Sequence, residues 1–260
     1  YSMDAEIYYL TGCVALAMDS YDEASSNFTE AYGEDATYDR AIQIYEAYLE
    51  KDMEADGTRY LEAALKTEAK NAEDYCNRGK VYYYMEDYSN AQKELTEAVN
   101  QKSTEGMLLL GMVYRAQGDT SNARSMYQQY VSADGSDPAK GYNGLALCDM
   151  DDGSYDSALE NISKGLEDAS TEEMQDLLFN EIVVYEKKLD FSTALSKMQE
   201  YIKMFPDDEN AAKELTFLQS RNGELSNDTA SDTTENTDAE AASDAGDAAD
   251  TSDEAGEEEY

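Results

Sequence analysis

Residues 75–95 read YCNRGKVYYYMEDYSNAQKEL, and residues 107–127 read MLLLGMVYRAQGDTSNARSMY. Laid one on the other, Tyr75, Gly79, Tyr82, Ala91 and Leu95 fall on Met107, Gly111, Tyr114, Ala123 and Tyr127. The steps are four, three, nine and four residues in both. Steps of three and four put side chains on one face of an α-helix. The step of nine crosses a polar stretch, Glu86-Asp87-Tyr88-Ser89 in the first copy and Gly118-Asp119 in the second. Gly, Asp and Ser are the residues that stop one helix and cap the next. Each copy therefore predicts two helices joined by a tight turn. A small residue in the first helix and an alanine in the second let the two backbones approach. The large apolar residues fill the space beside that crossing.

The pattern extends outward in both directions. Tyr8, Gly12, Ala15, Ala24 and Phe28 precede it, followed by the weakest copy, Ala41, Tyr45, Tyr48, Gly57 and Leu61. Tyr142, Ala146, Asp149, Ala158 and Ile162 come after, then Leu178, Ile182, Tyr185, Ala194 and Met198. Equivalent small residues of the second helices, from Ala24 to Ala194, are 33, 34, 32, 35 and 36 residues apart. The turns Asp19-Ser20-Tyr21-Asp22, Gly153-Ser154-Tyr155-Asp156 and Leu189-Asp190-Phe191-Ser192 repeat as well, each with an aromatic expected to pack back on its helix pair. Both prolines, Pro138 and Pro206, fall between units. An unrelated helical bundle has no reason to repeat at this period, whereas a stacked array does.

This resembles the pattern of the tetratricopeptide repeat family, large-x-x-Leu-Gly-x-x-Tyr and then Ala-x-x-x-aromatic, over about residues 4–206. The expected fold is all-α, six helix-turn-helix repeats at about 4–35, 38–70, 72–103, 104–137, 139–170 and 174–206. The resemblance implies that they stack as a right-handed superhelical solenoid. Asp207-Asp208-Glu209 then opens a helix over 209–221, with Ala211, Leu215, Phe217 and Leu218 as its apolar face. A solenoid needs such an end cap. Asn222-Gly223 is expected to end ordered structure. Residues 222–260 hold fourteen Asp and Glu, no Lys or Arg and almost no large apolar residue, the composition of a disordered acidic tail that aids solubility or spacing.

Charge limits the partners. The chain carries 58 acidic and 19 basic side chains, a net charge of −39. With the fourteen tail acids set aside, 44 acids still face 19 bases. Such a surface repels nucleic-acid phosphates and anionic headgroups and favours a soluble monomer. No apolar run has the length of a membrane span. Leu10-Thr11-Gly12-Cys13 resembles a bacterial lipobox, but Asp4 and Glu6 stand where an apolar segment belongs. The first residue, Tyr1, and the acidic tail suit an extracytoplasmic bacterial protein with its signal or anchor upstream. Three cysteines without a pairing pattern suit the cytoplasm instead.

Catalytic and metal chemistry finds little support in the residues. The absence of histidine removes the commonest general base and metal ligand. Cys13, Cys76 and Cys148 have neither disulfide nor zinc spacing and read as small buried hydrophobes. Asp149, Asp151, Asp152, Asp156 and Glu160 suggest a calcium loop, but Gly153 comes one place early and serves the helix turn. No phosphate-binding loop follows a strand. No catalytic residue, cofactor or metal ligand is assigned.

In tetratricopeptide proteins the first helices line a concave groove that holds a partner peptide or helix. The resemblance therefore implies a scaffold or adaptor. Its groove would take Tyr9, Cys13 and Leu16 from the first unit and Ile42, Glu46 and Leu49 from the second. The third gives Cys76, Lys80, Tyr83 and Tyr84, and the fourth Leu108, Met112 and Arg115. Asn143 and Leu147, then Phe179 and Val183, complete the set. Aromatic residues, Met and Arg are enriched at interfaces, and Tyr83 and Tyr84 are the expected anchors. A clamp for acidic peptides, known in one subclass, is broken here: Lys80, Arg115 and Asn77 are present, but Glu105 and Leu109 occupy other clamp positions. Two further readings are a self-associating structural repeat and, more remotely, an acid-lined hydrolase using paired carboxylates.

Overall fold

The computed structural model describes residues 3–234, and among them it contains thirteen α-helices and no strand. Helices α1 (Met3–Ala17) and α2 (Tyr21–Glu34) form the first hairpin, α3 (Tyr38–Leu49) and α4 (Glu54–Ala64) the second. Next come α5 (Ala72–Tyr84) with α6 (Tyr88–Asn100), and α7 (Thr104–Ala116) with α8 (Thr120–Val131). Helices α9 (Pro138–Asp151) and α10 (Tyr155–Leu166) precede α11 (Thr171–Lys187) and α12 (Phe191–Met204), and α13 (Glu209–Thr234) packs on α12. Each hairpin touches mainly the next, which is the contact pattern of a solenoid.

The motif residues do the packing the sequence assigns to them. Ala24, Ala91, Ala123, Ala158 and Ala194 are wholly buried. A methyl group on Gly111 would lie 2.7 Å from Cε1 of Tyr127, so only glycine lets the α8 ring seat on α7. Gly12 admits Phe28 in the same way. Even the weakest copy packs: Ala41, Tyr45, Tyr48, Gly57 and Leu61 are all buried. Arg40, also buried, ties α3 to α1 through Glu6 at 2.8 Å and lies 4.8 Å above the Tyr9 ring.

The turns share one backbone solution. Asp19, Asp52, Glu86, Gly118, Gly153 and Leu189 stand at equivalent positions, all with φ between 56° and 77°. The next residue donates its N–H five residues back, as Asp87 does to Tyr82 and Asp119 to Tyr114. This Schellman closure makes that residue both the end of one helix and the cap of the next. Asp87, Asp119 and Asp190 accept from the backbone N–H of Asn90, Asn122 and Thr193. Ser20 and Ser154, expected to cap likewise, make no such bond. Their ψ values, 66° and 61°, are far from the extended backbone at which Ser103 and Ser170 do cap. At the tighter angle the longer carboxylate reaches and the hydroxyl does not. Tyr88, Tyr155 and Phe191 pack back on their helices as expected, whereas Tyr21 stays exposed.

The last helix departs from expectation. It runs through Asn222-Gly223 to Thr234 instead of ending at Arg221. Gly223 does not take the left-handed backbone that would terminate it. A glycine inside a helix costs only about 1 kcal/mol, too little to stop one by itself. Ala211, Leu215 and Leu218, spaced four and three apart, face α12, but Phe217 points away and is exposed. The remainder of the acidic tail, residues 235–260, lies outside the described residues.

Candidate functional site

A hollow of about 790 Å³ opens on the face formed by the first helices of successive hairpins. Leu108, Met112 and Arg115 line it from α7, since positions i, i+4 and i+7 share one helix face. Lys140, Asn143, Leu147 and Asp151 do the same from α9. Tyr83 closes one side from α5, and Asp176 the other from α11. The floor is Tyr127 of α8, held between Gly111 and Gly144, where any methyl group would collide with its ring. A second hollow of about 400 Å³ shares Asn143, Leu147 and Asp176 and continues past Phe179 to Tyr201 and Asp208. Together they form a trough from α5 to α13.

Ion pairs brace the trough. Arg115 of α7 grips Asp151 of α9 with two hydrogen bonds, Nε to Oδ2 at 2.6 Å and Nη2 to Oδ1 at 3.2 Å. Arg124 of α8 donates to Asp149 at 2.5 Å and to Asp152 at 2.8 Å. Lys140 lies 3.5 Å from Glu173 and 3.7 Å from Asp137. Asn180 donates to Asn143 at 2.8 Å, linking α11 to α9. The cations at the hollow are thus already neutralised. Asp176 is different: partial burial first, then the charges of Glu172 and Glu173, push its carboxyl above the ordinary range. Negative potential is concentrated at that wall.

Six of the expected groove residues, Tyr83, Leu108, Met112, Arg115, Asn143 and Leu147, meet in the main hollow, and Phe179 joins the adjoining one. The remainder lie elsewhere. Ile42 and Leu16 are buried in the core of the first two hairpins, and Cys76 is buried as well, so none of the three lines an open groove. Tyr9 and Cys13 pack half-buried on that same core, and burial raises the Cys13 thiol above its usual value. Tyr84 turns from the trough toward α3. Its hydroxyl donates to Glu46 at 2.5 Å, and its ring meets Tyr45 edge-on at 6.0 Å. Lys80 and Val183 are half-buried, outside both hollows, and Leu49 is exposed. The physical reason is the turn of each helix against its predecessor: it hides one flank of α3 and α5 that sequence spacing treats as outward. Cys148 is wholly buried, and its thiol is pushed up to about 11. The suspected calcium carboxylates Asp149, Asp151, Asp152 and Asp156 are held instead by Arg115, Arg124 and Lys188, and Gly153 forms the turn with φ 71°. Sequence spacing missed Lys140, Asp176 and Tyr127. The first two lie in the opening turns of α9 and α11, and Tyr127 belongs to a second helix.

Residues 76–138 and 108–172 match the family described as tetratricopeptide repeat. Over residues 76–172 the chain carries tetratricopeptide repeats. The matched segment contains most of α5 and all of α6 to α10, and hence most of the main hollow. Solved tetratricopeptide structures share the fold. One from Parabacteroides merdae superposes with a TM-score of 0.60 at 17% identity, covering 83% of this chain and 84% of that one. A thermophilic tetratricopeptide protein of Thermus thermophilus gives 0.56 at 14% identity, covering 70% and 98%. A chain of the APC/C hetero-tetramer Cut9–Hcn1 gives 0.52 at 16% identity, covering 83% of this chain but only 42% of that one. At these identities the likeness is one of fold. Among curated proteins none matches the sequence.

Proposed function

We propose that this protein is a non-catalytic interaction module that holds a peptide or helix of a partner protein in the trough along α5, α7, α9 and α11. The observation that carries this reading is the 790 Å³ hollow, with Leu108, Met112, Leu147 and Tyr83 inside and charged residues at its edge. An apolar interior with a few oriented polar groups is the composition of a binding site. Because Arg115 and Lys140 are already engaged by carboxylates and Asp176 is not, the occupant that suits the hollow is an apolar side chain flanked by Lys or Arg. An acidic peptide would add charge to an already acidic wall.

The test is capture from extracts with the full chain as bait, run beside Met112→Arg. Met112 is half-buried in the trough wall, so circular dichroism must first show an unchanged helical content. A protein retained by the wild type and lost by the variant supports the trough. An identical captured set for both would refute it.

A further inference from the structure

The second hollow, about 400 Å³, is built mainly from one face of α11. Gln175 and Phe179 are four residues apart, as are Asp176 and Asn180, so the helix turns all four side chains the same way. Asn143 and Leu147 of α9 form the wall that it shares with the main hollow. The Phe179 ring meets that of Tyr201 edge to face, with 5.7 Å between centroids. The volume lies within the range of ligand-holding clefts, about 300–1,000 Å³.

The hydrogen bonds around this hollow use up donors and leave oxygens. Asn180 donates its Nδ2 to Asn143 at 2.8 Å, and Gln175 its Nε2 to Asp208 at 3.4 Å. Tyr201 donates its hydroxyl to the same Asp208 oxygen at 2.7 Å. What stays open is Oδ1 of Asn180, Oε1 of Gln175 and the carboxylate of Asp176, none of which has a hydrogen bond among the described residues. Against these stand the amide donors of Asn143, on the shared wall, and of exposed Asn210. Asp208 is committed elsewhere. Its other oxygen accepts from the backbone N–H of Asn210 and Ala211, so it caps α13 and offsets the positive end of that helix. Asp176 therefore carries the charge of the site. Among the described residues no base pairs with it, and no Lys or Arg lines the second hollow. Lys140, on the main hollow, lies 3.5 Å from Glu173 and 3.7 Å from Asp137 instead.

We propose that the second hollow receives an arginine side chain of the partner held in the trough, its guanidinium on Asp176 and on the oxygens of Asn180 and Gln175. This rests on the trough reading above and gives its basic residue an identity and a place. A guanidinium is a planar fork of five donors with no acceptor, the complement of a carboxylate beside two amide oxygens. It is weakly hydrated and stacks on aromatic rings, which fits a wall that holds Phe179. Lysine brings three donors on a compact, strongly hydrated charge and cannot span such a set. The apolar neighbour of the arginine then falls in the main hollow, on the other side of Leu147.

Two-dimensional amide NMR on the isotope-labelled full chain tests this. N-acetyl-arginine methylamide is titrated at about 0.15 M salt, where charges more than about 8 Å away are screened. Its twin carries citrulline, which exchanges the guanidinium for a neutral urea of nearly the same shape. The arginine compound is expected to bind with a Kd on the order of 1 mM. It should shift the signals of Asp176, Phe179 and Asn180 and leave those of α10 unmoved. Citrulline should bind at least about fivefold more weakly, the scale of one charge-assisted pair at a partly open site. Asp176→Asn should cost as much, whereas Glu160→Gln, which removes one charge on α10 outside both hollows, should cost nothing. Both positions are exposed, so neither variant endangers the fold. Failure to bind, equal binding of the two compounds, shifts spread evenly over the acidic surface, or full affinity in Asp176→Asn overturns the proposal. Tighter binding of free arginine than of the blocked compound would assign the hollow to a small molecule, and overturns it as well. The trough is judged separately, by the partner lost on Met112→Arg, and that result stands even where arginine and citrulline bind alike.

Discussion

Glu186 of α11 and Glu214 of α13 meet carboxyl to carboxyl where the last helix joins the array, and one oxygen of each is buried. Burial first, then the charge of Glu214 and the hydrogen bond to it, push the Glu186 carboxyl up to about 7. The consequence for stability has a definite sign. Below an ordinary carboxyl value of 4.5 the group is protonated in both folded and unfolded chains and carries no penalty. Between 4.5 and about 7 the unfolded chain has released the proton while the folded chain still holds it, so stability falls as pH rises. Above about 7 the whole penalty is present. At about 1.4 kcal/mol per tenfold the ceiling is about 3.4 kcal/mol. The side chain is only half-buried, and solvent screening reduces this to about 1–2 kcal/mol. Glu186→Gln keeps the shape and a hydrogen-bond donor toward Glu214 but cannot ionise. Urea unfolding followed by circular dichroism should show the variant about 1–2 kcal/mol more stable than wild type at pH 8, with the difference vanishing near pH 5. Hydrogen exchange over Ala211 to Leu218 should slow at pH 8 in the variant, because those residues join α13 to α12. Repulsion within so acidic a chain affects both proteins nearly alike and cancels in the difference. A wild-type minus variant difference that stays flat from pH 5 to 8 would refute the reasoning.

Leu189 holds a left-handed turn position with φ 61° and is largely exposed, so Leu189→Gly relieves backbone strain and gives up little packing. A rise of about 0.5–1 kcal/mol in unfolding free energy is expected in urea titration, and a loss would contradict the strain argument. Arg124→Ala removes the guanidinium from the buried carboxylate of Asp149, which keeps its hydrogen bond from Asn161. The change should cost about 2–3 kcal/mol, less than a wholly buried pair because Arg124 is partly exposed. Adding Asp149→Asn should restore at least about 1 kcal/mol in a double-mutant cycle, whereas additive losses would mean that the pair is not coupled.

The hairpins were legible in the sequence because their determinants are local. A residue such as Gly111 answers to Tyr127 sixteen positions later, across one turn, and the step of four, three, nine and four residues records that contact directly. Turn chemistry was nearly as legible, since the left-handed position and the Asp that follows it are adjacent in the chain. The trough was legible in part. Leu108, Met112 and Arg115 share a face by helical spacing alone, and so do Asn143 and Leu147. Tertiary structure decided what spacing leaves open. The angle of each hairpin against its predecessor buries Ile42 and Cys76, turns Tyr84 toward Glu46, and brings Lys140 and Asp176 to the rim. It also distinguishes Val14 from Val81, Val113 and Val184, which share its register. They are buried because a helix precedes them in space, and Val14 is exposed because none does among the described residues. Burial belongs to the neighbours a residue acquires, and helical spacing alone does not name those neighbours.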